Sequence, residues 1–164
     1  RDDVESRGLG DVYKRQVTDK PVIVKLSPNV TDIVEIAKAV EAGGGDGVSL
    51  INTILGMAID IHRRKPVLGN IYGGLSGPAV KPVALRMVHQ VYKGVNIPIM
   101  GLGGIMTGTD AIEFMMAGAQ AVQVGVATMV DPTAISRIAR EMGDYVEQYN
   151  LNSITDIVGA VHHG

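Results

Sequence analysis

The chain has 164 residues, of which 46% are hydrophobic and 20% charged, with a formal net charge of −2. That suffices for one domain with a real core but falls short of the roughly 250 residues of a complete (β/α)8 barrel, and it offers no basic surface for nucleic acid. Without cysteine there is no disulfide, no Cys-ligated zinc and no cysteine nucleophile in these residues; no apolar run has membrane-span length and no secretory signal is present, so the composition reads as a cytoplasmic α/β protein.

Residues 1–16 are polar and charged, follow no structural period, and from Ser6 to Gln16 resemble translated sequencing-adapter sequence. They are expected to be a non-native or disordered leader, with the folded domain at 17–164. From Pro21 the order becomes regular. Residues 22–26, β-branched and bounded by prolines, read as a buried strand. Thr31 is placed to cap a helix whose apolar positions Ile33, Ile36, Ala37 and Val40 recur at helical spacing and end at Gly43. Residues 47–51 form a second strand. A long glycine-rich connection, 52–81, follows without an antiparallel signal.

Pro82 starts a helix to Tyr92, with Leu85, Val88 and Tyr92 on one face and Gly94 as its stop. Residues 97–101 are a third strand, 109–117 a short helix closed by Gly118, and 121–125 a fourth strand. Asp131-Pro132 opens a helix with Ile135, Ile138, Ala139, Met142 and Val146 on its stripe. A last short helix follows Ser153, where Asp156 completes a capping-box spacing. The expected fold is therefore α/β, the C-terminal half of a (β/α)8 TIM barrel with about four βα units. A doubly wound four-strand sheet is the competing architecture.

Glycines end the last two strands. Without a Cβ at Gly103, Gly104 and Gly125, backbone N–H groups can approach an anion, and the loops after the last two barrel strands are the usual place for a phosphate. Lys25 interrupts an apolar strand and should emerge at its C-terminal end as a fixed cation, or else as an ordinary surface lysine. Asn52 and Thr53 follow the second strand and suit a planar polar ligand or, equally, a helix cap or turn. The run Gly73 to Gly77 permits close backbone approach or simple flexibility. The basic run at 62–65 reads as a solvated loop, and His162-His163 as a frayed tail rather than a metal site. The four histidines lack metal-ligand spacing. Met57, Met87, Met115 and Met116 read as core filler.

Taken together, Val24-Lys-Leu-Ser-Pro-Asn29, Ser49-Leu-Ile-Asn-Thr53, Gly73-Gly-Leu-Ser-Gly-Pro-Ala-Val-Lys-Pro82, Met100-Gly-Leu-Gly-Gly-Ile105 and Val124-Gly-Val-Ala-Thr128 occur in this order. The set resembles the C-terminal half of dihydroorotate dehydrogenase, over residues 17–164, and most closely the NAD-dependent heteromeric type. The resemblance implies an FMN barrel that oxidises dihydroorotate to orotate in pyrimidine biosynthesis. Electrons would leave through an electron-transfer subunit carrying FAD and a [2Fe–2S] cluster, with a homodimer of catalytic subunits inside a heterotetramer.

It also implies roles. Lys25 would lie beside the flavin's pyrimidine edge, Ile51 and Gly77 would contact the flavin, and Gly103, Gly104, Gly125 and Val126 would form the phosphate cradle. Asn52 and Thr53 would hold the substrate. The chain departs from the family at Val126, where a threonine is usual, and in lacking the catalytic-base cysteine of the family's first half. No catalytic residue is therefore assigned here, no metal site is expected, and the chain is expected to be an incomplete, inactive fragment. A dihydropyrimidine dehydrogenase-like FMN barrel and a non-catalytic phosphate-binding half barrel are the alternatives.

Overall fold

The computed structural model describes residues 18–162. The expected leader at 1–16 and the expected tail residue His163 lie outside them. In chain order the elements are β1 (Ile23–Leu26), α1 (Ile33–Ala42), β2 (Gly47–Leu50), β3 (Ile54–Met57), β4 (Ile59–Asp60), β5 (Lys65–Pro66) and β6 (Tyr72–Leu75). A 3-10 turn at Pro78–Val80 leads into α2 (Lys81–Tyr92), then β7 (Ile99–Leu102), α3 (Gly108–Met116), β8 (Ala121–Gln123), α4 (Val126–Val130) and α5 (Ala134–Gln148). Two further 3-10 turns, Ile154–Ile157 and Ala160–His162, end the described chain.

Four strands pair in parallel in the order β1-β2-β7-β8. Each new strand joins the same edge of the sheet, so the order never reverses. A doubly wound sheet reverses at a switch point, whereas a barrel grows in one direction, and the topology is that of consecutive barrel units. Register places Lys25 beside Ser49, Ser49 beside Met100, and Met100 beside Ala121. These four share one sheet face, because side chains alternate along each strand. The opposite face carries Leu26, Leu50, Gly101 and Val122, and receives the helices.

That helix-covered face is the core. Val48, Leu50, Val88, Val91, Ile99 and Phe114 are fully buried, each such side chain contributing about 1.5–3 kcal/mol of apolar burial. Gly101 makes room for the Phe114 ring: a Cβ there would lie 2.6 Å from its Cδ1. The other sheet face stays open at its flanks, where Ile23, Lys25, Ala121 and Gln123 are exposed.

Several local expectations are corrected. The cap of α1 is Asp32, not Thr31; the Asp32 carboxylate accepts from the Val34 and Glu35 N–H groups. The connection at 52–81 does contain antiparallel structure. β3 pairs with β6 and β4 with β5. Two of its glycines mark close approach, not looseness: a Cβ on Gly73 would meet Leu68 Cδ1 at 2.4 Å, and one on Gly74 would meet Thr53 Oγ1 at 2.3 Å. Met57 lies half-exposed on β3, while Met87 and Met115 are buried as expected. The fourth strand stops at Gln123, and the five-residue α4 intervenes before the helix expected from Asp131. On α5 the buried positions are Ala134 and Ile138, with Met142 packing on the core. Ile135 and Ala139 face solvent, so the apolar stripe is offset from the expected one.

His162 is anchored rather than frayed. Its ring stacks on His89 at 4.2 Å and approaches Tyr92 at 4.7 Å, and Nε2 lies 3.0 Å from the Ala117 carbonyl oxygen. Among the described residues no helix is long and apolar enough to cross a membrane.

Candidate functional site

The C-terminal ends of the parallel strands converge on one cleft of about 620 Å³, within the size range of cofactor pockets. Its walls come from Lys25 on β1, Asn52 and Thr53 after β2, Ser76 and Gly77 after β6, Gly103 and Gly104 after β7, and Gln123, Gly125 and Val126 at the end of β8.

Backbone continuity explains why β2 delivers two polar side chains there. Beyond Leu50, the Ile51 N–H donates to the Leu102 carbonyl and the Asn52 N–H to the Leu26 carbonyl, both at 2.9 Å. The chain thus stays wedged between β1 and β7 to the rim. Asn29 then fixes the next step: its amide donates to the Thr53 carbonyl at 2.9 Å and accepts from the Leu55 N–H at 2.9 Å. Asn52 and Thr53 are exposed toward the cleft while their backbone is pinned.

The glycines serve distinct ends. Gly77 has φ +86° and starts the 3-10 turn at Pro78–Val80. Gly103 and Gly104 have φ +129° and +79°, a region that favours glycine. A Cβ on Gly104 would sit 2.7 Å from the Gly77 carbonyl oxygen and 3.0 Å from the Lys81 nitrogen, so the two loops touch through backbone. A Cβ on Gly77 would face Val126 Cγ1 at 3.8 Å, which brings the third wall into the same corner. Gly125 differs: its φ is ordinary and a Cβ there would meet nothing within 4 Å. It leaves open space in the cleft wall.

The loop after β7 is held from behind. Thr107 and Asp110 form a reciprocal capping box at the start of α3, and the Asp110 carboxylate accepts from the Met106 and Thr107 N–H groups at 2.9 Å. Arg137 on α5 donates to the Met106 carbonyl at 3.1 Å, and the Glu141 carboxylate accepts from the Gly108 N–H. That contact with Gly108, together with Arg137, holds Glu141 below its ordinary pKa. Burial pushes Asp110 upward, but the Lys81 ammonium and the backbone donors outweigh it and hold the carboxyl low.

Lys25 is the only charged side chain among the described residues lining the cleft. The cleft can accordingly bind a polar, anionic ligand against a cation and backbone donors, but these residues place no carboxylate, histidine or thiol in it to take a proton. The structure brings together every residue expected at the site except Ile51. That side chain is buried beneath Gly103, whose hypothetical Cβ would lie 3.3 Å from Ile51 Cγ1, and it does not line the cleft. Reading the sequence missed Asn29 as the clamp on Thr53, and missed Gln123 and Ser76 as lining polar groups. The polar parity of Ala121-Val-Gln-Val was the available signal for Gln123. No group of three or more His, Cys, Asp or Glu among the described residues is arranged to hold a metal ion.

The dihydroorotate dehydrogenase family matches residues 3–146. A protein of Geobacter sp. (strain M21), named dihydroorotate dehydrogenase B (NAD(+)), catalytic subunit, is 62% identical over 144 residues, 88% of this chain and 47% of the relative. Proteins of the same name from Desulforamulus reducens and Phocaeicola vulgatus are 64% identical over 145 residues and 56% identical over 160. The matches cover 88% and 96% of this chain, and 48% and 53% of those relatives. The chain spans about half the length of the curated relatives it matches.

Proposed function

Since the chain belongs to the dihydroorotate dehydrogenase family, we propose that it is the C-terminal half of the FMN-binding barrel of a dihydroorotate dehydrogenase, of the type that passes electrons through a partner subunit to NAD. The observation that carries this reading is the convergence of Lys25, Asn52, Thr53, Gly77, Gly103, Gly104, Gly125 and Val126 on one cleft. The names of the relatives favour dihydroorotate over a dihydropyrimidine as substrate and favour a second, electron-accepting subunit. FAD and a [2Fe–2S] cluster would belong to that subunit, and the catalytic subunit would pair with a second copy of itself.

The residues present fit a flavin phosphate. Gly104 allows no side chain against Gly77, and Gly125 leaves open the space a side chain would fill. The Val126 and Ala127 N–H groups, which open α4, would complete a cradle of backbone donors, while the Thr128 N–H is taken by the Gly125 carbonyl. Val126 removes a hydroxyl from this cradle, so backbone carries it. When bound, FMN would supply a hydride acceptor for the oxidation of dihydroorotate to orotate. Lys25 contributes a fixed positive charge at the end of β1, which favours negative charge building up on a ring beside it. Asn52 and Thr53 present an amide and a hydroxyl whose backbone Asn29 immobilises, so a planar carboxylated ring is met by groups already oriented. The lining residues provide binding and charge, while proton removal falls to a base outside them.

The test uses the full-length polypeptide containing this chain. It should purify with one flavin per barrel, and anaerobic dihydroorotate should bleach that flavin where dihydrouracil does not. A preparation that binds no flavin, or that dihydrouracil bleaches equally well, refutes the assignment.

A further inference from the structure

Behind the cleft, outside its lining, the Lys81 ammonium group lies 2.6 Å from Asp110 Oδ1 and 2.7 Å from Glu113 Oε2. Lys81 opens α2; Asp110 and Glu113 stand in the first two turns of α3. We propose that Lys81 is a positioning residue for the cleft: it ties the start of α2 to the start of α3 and thereby sets the separation of Gly77 from the Gly103–Gly104 loop.

Three observations carry this. First, Lys81 acts at both ends of its own structure. Its backbone nitrogen is part of the wall against which Gly104 rests, 3.0 Å from where a Cβ would be, while its side chain reaches into the next βα unit. Second, Asp110 is the same carboxylate that holds the Met106 and Thr107 N–H groups, so the ammonium acts on the residues that directly follow the glycine loop. The segment is pinned from its far side by Arg137 and Glu141, which leaves Lys81 as the tie toward Gly77. Third, the cation separates two carboxylates three residues apart on one helix. Without it they would repel and push the first turn of α3 open.

An ordinary surface ion pair would matter little. Here the pair is partly buried, with 26% of the Lys81 side chain and 14% of the Asp110 side chain exposed, and both partners bear on loop backbone. Its contacts also hold Lys81 above its ordinary pKa, Asp110 first and Glu113 next among the causes, so the tie is charged throughout the neutral range.

This inference rests on the flavin reading of the cleft for its functional consequence, and the test separates the two. In the full-length protein, Lys81→Met, Lys81→Arg, Glu113→Gln and Lys81→Met/Glu113→Gln are compared with Val40→Ala. Val40 is a buried position near the C-terminal end of α1, and its truncation lowers stability without touching either loop. FMN dissociation, amide exchange over 103–107 and melting temperature are measured on each variant.

Lys81→Met should weaken FMN binding about tenfold and speed exchange over 103–107, beyond what Val40→Ala does at an equal loss of melting temperature. Lys81→Arg should restore most of both. Glu113→Gln should recover part of the loss in the Lys81→Met background, by removing the repulsion. If Lys81→Met keeps parental affinity and exchange, or loses them only in proportion to Val40→Ala, the positioning role is wrong. Should Lys81→Met fail to fold, Lys81→Met/Glu113→Gln decides, because it removes the tie without leaving two carboxylates to repel: parental exchange over 103–107 in it refutes the role. A parent that binds no flavin refutes the flavin reading instead, and the exchange measurements still judge Lys81.

Discussion

A Cβ on Gly74 would lie 2.3 Å from Thr53 Oγ1 and 2.6 Å from Thr53 Cβ. The antiparallel strand β6 therefore lies directly against one of the two polar residues that follow β2. Thr53 is β-branched, with little freedom to rotate aside, and Asn29 holds its carbonyl. Gly74→Ala should displace the Thr53 hydroxyl and raise the KM for dihydroorotate in the full-length enzyme by about tenfold, a loss of roughly 1.4 kcal/mol of binding. FMN content should be unchanged. Gly56→Ala is the control, since a Cβ there meets nothing closer than 3.7 Å. Equal kinetics for Gly74→Ala and Gly56→Ala would show that the hairpin does not position Thr53.

The two cradle loops should fail differently. Gly104→Ala forces a side chain against the Gly77 carbonyl oxygen at 2.7 Å, from a backbone conformation at φ +79°. Carbonyl backbone cannot swing away as a flexible side chain can, so the expected cost is about 1–3 kcal/mol of stability, together with loss of flavin. Gly125→Ala meets no protein atom within 4 Å. Its methyl would occupy cleft space, so melting temperature should hold within the effect of an ordinary surface change, about 0.5 kcal/mol, while FMN dissociates faster. Thermal melts with flavin counts on both variants check this. Parental FMN retention in Gly125→Ala would remove that loop from the cradle.

Lys25 should affect rate more than retention. It stands at the end of β1, across the cleft from the glycine loops after β7 and β8. Lys25→Ala should leave most of the flavin bound while lowering the flavin's potential and slowing its reduction by dihydroorotate about 10²-fold, the usual order for loss of one preorganised electrostatic partner. Stopped-flow bleaching and a redox titration measure both. Parental values for the two would take Lys25 out of the mechanism.

Much of this was legible from the sequence because barrel units are locally coded. Short apolar runs rich in β-branched residues marked the four parallel strands, and strand ends are where ligand groups gather, so position alone pointed to Lys25, Asn52, Thr53 and the glycines that line the cleft. The hairpins at 54–75 were not legible. Their strands are short, interrupted by Gly56, Gly73 and Gly74, and leave Leu55, Met57 and Tyr72 exposed, so the alternation that marks a half-buried strand is absent. The turns there use Arg64 and Ile71 at positive φ, where glycine or asparagine would have been the recognisable sign. Asn29 and Lys81 escaped because each acts on partners far along the chain, at Thr53 and Asp110, which no local window contains.

The stacked imidazoles of His89 and His162 give the protein an acid-sensitive joint between α2 and its last described turn. Burial, the neighbouring His162 and the charge of Lys93 all hold His89 below its ordinary pKa of 6.5. A histidine depressed in the folded state is protonated more readily when unfolded, so stability increases with pH across the interval between the two values. The contribution is complete above pH 6.5 and is lost as pH falls toward the folded value. Asp110 and Glu141, also held low, act in the same sense, but their loss begins only below the ordinary carboxylate values of 3.8 and 4.5. The two limbs should therefore be separable. Between pH 7.5 and 5.5 the melting temperature should decline, and His89→Phe, which keeps a ring to stack on His162, should flatten that limb while leaving the loss below pH 4.5 intact. An NMR titration of His89 with its midpoint at or above 6.5, or an unaltered slope in His89→Phe, would overturn this account of the joint.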